Sequence, residues 1–216
     1  MNVKMLKAAA ATLVLAGAIA APSQAATVLL NDTFTGPGYA LNTAPPGWSV
    51  IGGTGTVDWV ADNTYSIRCI GNTGGCVDLD GSTSNAGIMT NGIYTLEAGV
   101  QYTFSAYLSA NQRNIGTDTV VFGFRNSGGV IQSTSTISLS ENPDLVPPTF
   151  ALYTLLFTPG VTYTGVSLFF EASGGDNIGP IVDNVSLTAV PLPAAAWLLL
   201  SGLAGLGFVG RRRKVA

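Results

Sequence analysis

The chain has 216 residues, 47% of them hydrophobic and only 10% charged, with two cysteines and no histidine. The missing histidine excludes Ser-His-Asp and Cys-His catalysis and the usual zinc sites, and the absence of lysine between Ala26 and Pro193 excludes Schiff-base chemistry there. That stretch sets three arginines against all twelve acids, a formal −9, which disfavours nucleic acid as a partner and suits a neutral polysaccharide or a divalent cation.

The chain opens with Lys4 and Lys7, an apolar run over residues 8–20, and the small-x-small triplet Ser23-Gln24-Ala25. This is the pattern of a secretory signal peptide over residues 1–25, cleaved after Ala25 and handled by the Sec machinery. Residues 26–189 then make one domain with a core of its own. Their apolar residues alternate with a period of two: Tyr102, Phe104, Ala106 and Leu108 on one face of a segment, Val120, Phe122 and Phe124 on another, Val166, Leu168 and Phe170 on a third, and Val185 with Leu187 near the end. Further strands are predicted at 27–31, 48–51, 56–60, 66–70, 75–79, 88–96, 130–139 and 150–157. Paired glycines such as Gly52-Gly53 and Gly174-Gly175 punctuate them.

Many short strands without a helical window predict an all-β fold, an antiparallel two-sheet β-sandwich of jelly-roll topology. A parallel β-helix is the rival, and no repeat of fixed period supports it. Cys69 and Cys76 enclose six residues in an exported chain and are predicted to form a disulfide.

Asp32 shares strand parity with Val28, Leu30 and Phe34, and Asp183 with Ile181, Val185 and Leu187, so both carboxylates fall on inward faces of the first and last strands. An inward carboxylate needs a cation or several donors, so Asp32 and Asp183 are candidate ligands for one structural Ca²⁺; the alternative is that both cap turns. Asp78 and Asp80 resemble half of a calcium loop without its downstream acid. Tyr39, Trp48 and Tyr65, among early Gly- and Pro-rich loops, are candidate sugar contacts, whereas Trp59 shares parity with Val57 and reads as core. No sequence spacing identifies the carboxylate pair that glycoside hydrolysis needs.

Three segments, Cys76-Val77-Asp78-Leu79-Asp80-Gly81, Leu96 through Phe104 and Gly174 through Val185, resemble exported jelly-roll domains of the galactose-binding and carbohydrate-binding-module type. That resemblance implies a β-sandwich, often a structural Ca²⁺, and in some members sugar binding.

The end of the chain, residues 190–216, has its own grammar. Val190-Pro191-Leu192-Pro193 precedes sixteen uncharged residues, 194–209, then Arg211-Arg212-Arg213-Lys214. As a helix the uncharged run would span roughly 24 Å, and the basic end places the C-terminus in the cytoplasm. Motif, span and basic tail together resemble the PEP-CTERM sorting signal in its VPLPA variant, with Leu192 where the commonest form has Glu. The resemblance implies an exosortase-type membrane processing enzyme as partner and a transient inner-membrane anchor. Release to the cell surface or medium, or attachment there, would follow. The resulting reading is a non-enzymatic surface or matrix protein linked to exopolysaccharide, biofilm or adhesion. The alternative is a dedicated carbohydrate-binding module, and a third reading is a carboxylate-dependent glycoside hydrolase.

Overall fold

Alternation of apolar and polar residues produces twelve strands, all paired antiparallel, and no α-helix among the described residues. A computed structural model describes residues 25–52, 55–83, 86–113, 116–141 and 149–191. Residues 1–24, Leu192, Pro193, the apolar run 194–209 and the basic tail lie outside that set, and with them most of the predicted signal peptide and sorting signal.

The first sheet contains β1 (Thr27–Asp32), β3 (Asp58–Ala61), β4 (Gly75–Asp78), β6 (Val100–Ser109), β10 (Ala151–Phe157) and β12 (Ile181–Pro191). Its order is β10-β6-β12-β4-β3, and β1 pairs with the part of β12 that β4 leaves free. The second sheet contains β2 (Trp48–Ile51), β5 (Ile88–Leu96), β7 (Gly116–Asn126), β8 (Gly129–Ser133), β9 (Ile137–Glu141) and β11 (Tyr163–Ser173), in the order β2-β5-β11-β7-β8. Here β9 pairs with the start of β7 and β8 with its end. The fold is the predicted antiparallel β-sandwich of jelly-roll type.

Between the sheets, Phe104 of β6 meets Phe122 of β7 and Phe170 of β11. Their ring centroids lie 4.9 and 5.4 Å from that of Phe104, at 81° and 73°. Such edge-to-face contacts add to the burial energy of rings that are wholly removed from water.

Two predicted strands turn out differently. The run 130–139 is two strands, β8 and β9, which use separate stretches of β7. The run 66–70 belongs to no sheet, although Ile67 and Cys69 point inward as a strand would require. Three successive N–H groups there are taken by side chains. Arg68 N–H donates to Gln112 Oε1 at 2.6 Å, Cys69 N–H to Asp62 Oδ1 at 2.9 Å, and Ile70 N–H to Asp183 Oδ2 at 2.9 Å. Side chains thus stand in for a neighbouring strand, since buried amides must be paired by something.

The last strand, β12, holds a register shift against β6 between Asp183 and Ser186, with Asn184 at φ +46°. This bulge separates the part of β12 that pairs with β4 from the part that pairs with β1. The strand runs on through Val190 and Pro191, which pair with Gln101 and Val100, two residues past the predicted domain boundary.

Candidate functional site

Two of the three predicted sugar contacts come together. Tyr39, Ala40, Leu41, Trp59, Val60, Ala61, Thr64 and Tyr65 line a pocket of about 90 Å³ beside the edge strand β3. Trp59 forms its buried floor. Its indole N–H donates to the Phe34 carbonyl at 2.7 Å, and its ring lies 4.7 Å from that of Tyr39. The Tyr39 hydroxyl in turn accepts the Gly36 N–H at 3.3 Å. Tyr39 can press against β4 only because residue 75 is glycine: a Cβ there would stand 2.4 Å from Tyr39 Cε1. At the rim, Tyr65 is 56% exposed and offers a ring face to solvent.

The Tyr65 loop is strained and pinned. Asn63, Tyr65 and Ser66 adopt φ of +60°, +53° and +63°, a region that costs a non-glycine residue roughly 1–3 kcal/mol each. Short bonds hold it there: Asp62 N–H to Gly74 O at 3.0 Å, Asn63 N–H to Ile67 O at 2.8 Å and Ile67 N–H to Thr64 O at 2.9 Å. The Cys69–Cys76 disulfide, with Cα atoms 5.5 Å apart, closes the chain just behind, and Arg68 pairs with Asp62 at 3.5 Å. The rim aromatic thus sits on a loop tied down by local backbone bonds, an ion pair and a neighbouring disulfide.

Trp48, predicted at the same platform, is instead a core residue. It is 6% exposed and packs on Phe34 and Phe170, with centroids at 5.7 and 5.8 Å. The loop 45–47 delivers it into β2 with its ring inward, and its indole N–H donates to Asp32 Oδ2 at 2.8 Å. The tryptophan that serves the pocket is Trp59, whose parity correctly placed it inside.

Asp32 and Asp183, the predicted calcium ligands, each have donors from the protein. Asp32 Oδ1 accepts the Phe34 N–H at 2.8 Å. Asp183 Oδ1 accepts the Asn184 N–H at 2.6 Å, beside its bond to Ile70. The Asp32–Phe34 bond is that of a turn cap, whereas Asp183 is buried and reaches an amide far away in the chain. Burial pushes the Asp183 carboxyl up to about 6, its two N–H donors oppose that, and the Asp32 charge adds to it. Asp183 also lies close to the sulfur atoms of Cys69 and Cys76, but those are bonded to each other and offer no thiolate.

A second polar cluster was only half visible in the sequence. Asp78 ends β4 and Asp80 lies two residues beyond it, and both are fully buried. Asp78 pairs with Arg113, and burial raises its carboxyl to about 8 against the pull of that guanidinium. Asp58, Asp118 and the loop 174–179 complete the group. Their assembly depends on residues more than 90 positions apart in the chain, which no local pattern marks.

No family model and no curated protein matches the sequence. Among solved structures, a cyclase from Fischerella sp. TAU is similar with a TM-score of 0.56 at 16% identity, over 77% of this chain and 98% of that one. An arabinose-bound MgGH51 α-L-arabinofuranosidase gives 0.51 at 14% identity over 73% of this chain, which spans only 25% of that enzyme. The CBM22-1 xylan-binding domain of Paenibacillus barcinonensis Xyn10C gives 0.49 at 15% identity, over 79% and 99% of the two chains. At such identities the likeness shows the jelly-roll fold alone.

Proposed function

We propose that the domain is a non-catalytic carbohydrate-binding module carried by an exported, surface-sorted protein. The Tyr39–Trp59–Tyr65 pocket is the observation that carries this reading. A pyranose ring stacks the C–H groups of one face on an aromatic ring, and Tyr65 supplies such a ring on strained, immobilised backbone. At about 90 Å³ the pocket takes a substituent such as a hydroxymethyl group while the sugar ring lies over Tyr65. The described residues that line it are aromatic, apolar or hydroxyl-bearing, a lining suited to stacking. The domain's negative charge favours a neutral glycan over an acidic one.

The sorting signal and the pocket fit one another in purpose: export delivers the domain to where polysaccharide is made, and exosortase-type processing would leave it there. Affinity electrophoresis in gels cast with neutral xylans, galactans and glucans tests the binding. At least one should retard the protein, and Tyr65→Ala should weaken that interaction about tenfold, the equivalent of roughly 1.4 kcal/mol of stacking. Retardation by none, or an unchanged Tyr65→Ala protein of intact fold, would refute the module. Intact mass of protein recovered from the envelope should show loss of residues 1–25 and of the apolar run and tail after the Val190–Pro193 motif. An intact basic tail on surface protein would indicate a plain anchor.

A further inference from the structure

We propose that the end of the sandwich where β12 finishes rests on a lipid bilayer, through Val28, Val130, Val161 and the turns 97–99 and 158–162. The inference rests on the reading of residues 194–209 as a membrane anchor, and is independent of the aromatic pocket.

Strand register brings these residues to one end. β12 runs out at Pro191, which pairs with Val100 at the start of β6. β1 begins beside it, with Thr27 opposite Ala189 and Val28 opposite Thr188. β10 ends at Phe157 opposite Tyr102, and β11 begins at Tyr163 opposite Leu96, so the connection 158–162 lies next to the β5–β6 turn. The Gly99 N–H donates to the Pro159 carbonyl at 2.9 Å and the Ala98 N–H to the Thr162 hydroxyl at 3.2 Å, which ties the two turns together. On the second sheet β7 also ends here, and Val130, opposite Arg125, follows its turn. Only Leu192 and Pro193 separate β12 from the uncharged run 194–209, and only residues 21–26 separate the N-terminal apolar run from β1. Both apolar segments that flank the domain therefore join it at this end.

This end is apolar where it meets solvent. Val28, Val161 and Val130 are 64, 60 and 57% exposed, and Leu156, equally exposed, flanks them on β10. Exposed apolar side chains scattered singly need no explanation, but these share the end from which the chain leaves for its apolar run.

Charge separates the two ends. Asp58, Asp78, Asp80, Asp118 and Asp176 gather where β12 begins: Asp78 stands opposite Ile181 and Asp58, and the charges of Asp176 and Asp80 act on Asp118. Among the described acids only Glu97 lies at the end where β12 finishes, and the cation Arg125 lies toward it. A lipid surface carrying anionic headgroups repels the first end and tolerates the second. A tether of two residues then holds the second end at the surface, where contacts too weak to capture a free domain suffice. The pocket stays clear, because it lies beside β3, which reaches β12 through β4 at Ile181 and Val182.

The test uses the full-length chain in vesicles of phosphatidylethanolamine and phosphatidylglycerol with brominated acyl chains, which quench a fluorophore in contact with them. Residue 160 suits the label, since a Cβ there would meet nothing within 4 Å, and Cys69 and Cys76 are joined and buried. A label on Gly160→Cys should be quenched, and one on Ser173→Cys, at the far end of β11, should not. A flexible Gly-Ser insert of about twelve residues between Pro193 and Ala194, with a reach of roughly 20 Å, separates contact from tethering. Quenching should survive the insert, and should fall roughly threefold or more when Val28→Glu and Val130→Glu are added to it, because a carboxylate resists transfer out of water. Equal quenching at the two labels, or its loss in the insert chain with both valines intact, would leave tethering alone and overturn the proposal. A chain that fails to float with the vesicles overturns the anchor reading and this inference with it. A floating chain with an unquenched label at residue 160 overturns this inference only.

Discussion

Asp183 should make this protein more stable in mild acid than at neutrality, the reverse of the usual carboxylate effect. Its carboxyl is raised from 3.8 to about 6, first by burial, with the Ile70 and Asn184 amides opposing and Asp32 reinforcing. The native state therefore binds a proton in a range where the unfolded chain has released it. Stability from this group is fully present below about pH 4 and is lost as pH rises through 6. A shift of this size corresponds to about 3 kcal/mol across that window. Asp78, raised to about 8, acts with the same sign from about pH 4 upward and carries the decline on between pH 6 and 8. Urea unfolding at half-unit intervals from pH 4 to 8, in chelator, measures the slope. Asp183→Asn should roughly halve the slope between pH 4 and 6, where Asp78 still contributes, and leave the upper portion, whatever it does to absolute stability. Wild-type stability that rises from pH 4 to 6 relative to the Asn variant, or a variant with the wild-type slope, would show that the carboxylate is ionised throughout and the burial argument mistaken.

Two further outcomes follow from the packing. Replacing both Cys69 and Cys76 by Ser should lower unfolding free energy by about 2–3 kcal/mol, the loop-entropy value for so short a ring, with the β-sheet circular-dichroism spectrum retained. Loss of the folded spectrum would mean that the strained Tyr65 loop, not the alternating strands, holds the domain together. Phe104→Ala should cost about 3–5 kcal/mol in urea unfolding, because its ring contacts Phe122, Phe124 and Phe170 at the centre of both sheets; a loss under about 1 kcal/mol would mean that the core refills the space.

Parity was a sound guide wherever the ladder is regular. It placed Phe104, Phe122 and Phe170 inside and turned Asp183 inward. It misled where the ladder is interrupted. A register shift between Val28 and Leu30 leaves Val28 64% exposed despite its shared parity with Leu30. The segment 66–70 has a strand's pattern but takes its amide partners from Gln112, Asp62 and Asp183. At the pocket, loop composition pointed to Tyr39 and Tyr65, yet it could not distinguish Trp48, which turns into the core, from Trp59, which floors the site.

From the sequence by itself came the all-β class, the disulfide and two of the three pocket aromatics. These are local properties: period-two alternation, the short interval between two cysteines, and bulky rings among turn residues. The tertiary structure alone decided which distant residues meet. It brought Asp80 to the amides of residues 175–177 and Arg113 to Asp78, and it gave Asp183 to Ile70 rather than to a solvent-facing turn. The physical reason is that alternation specifies a side chain's face but not its strand's neighbour. A buried charge takes its energy from those neighbours.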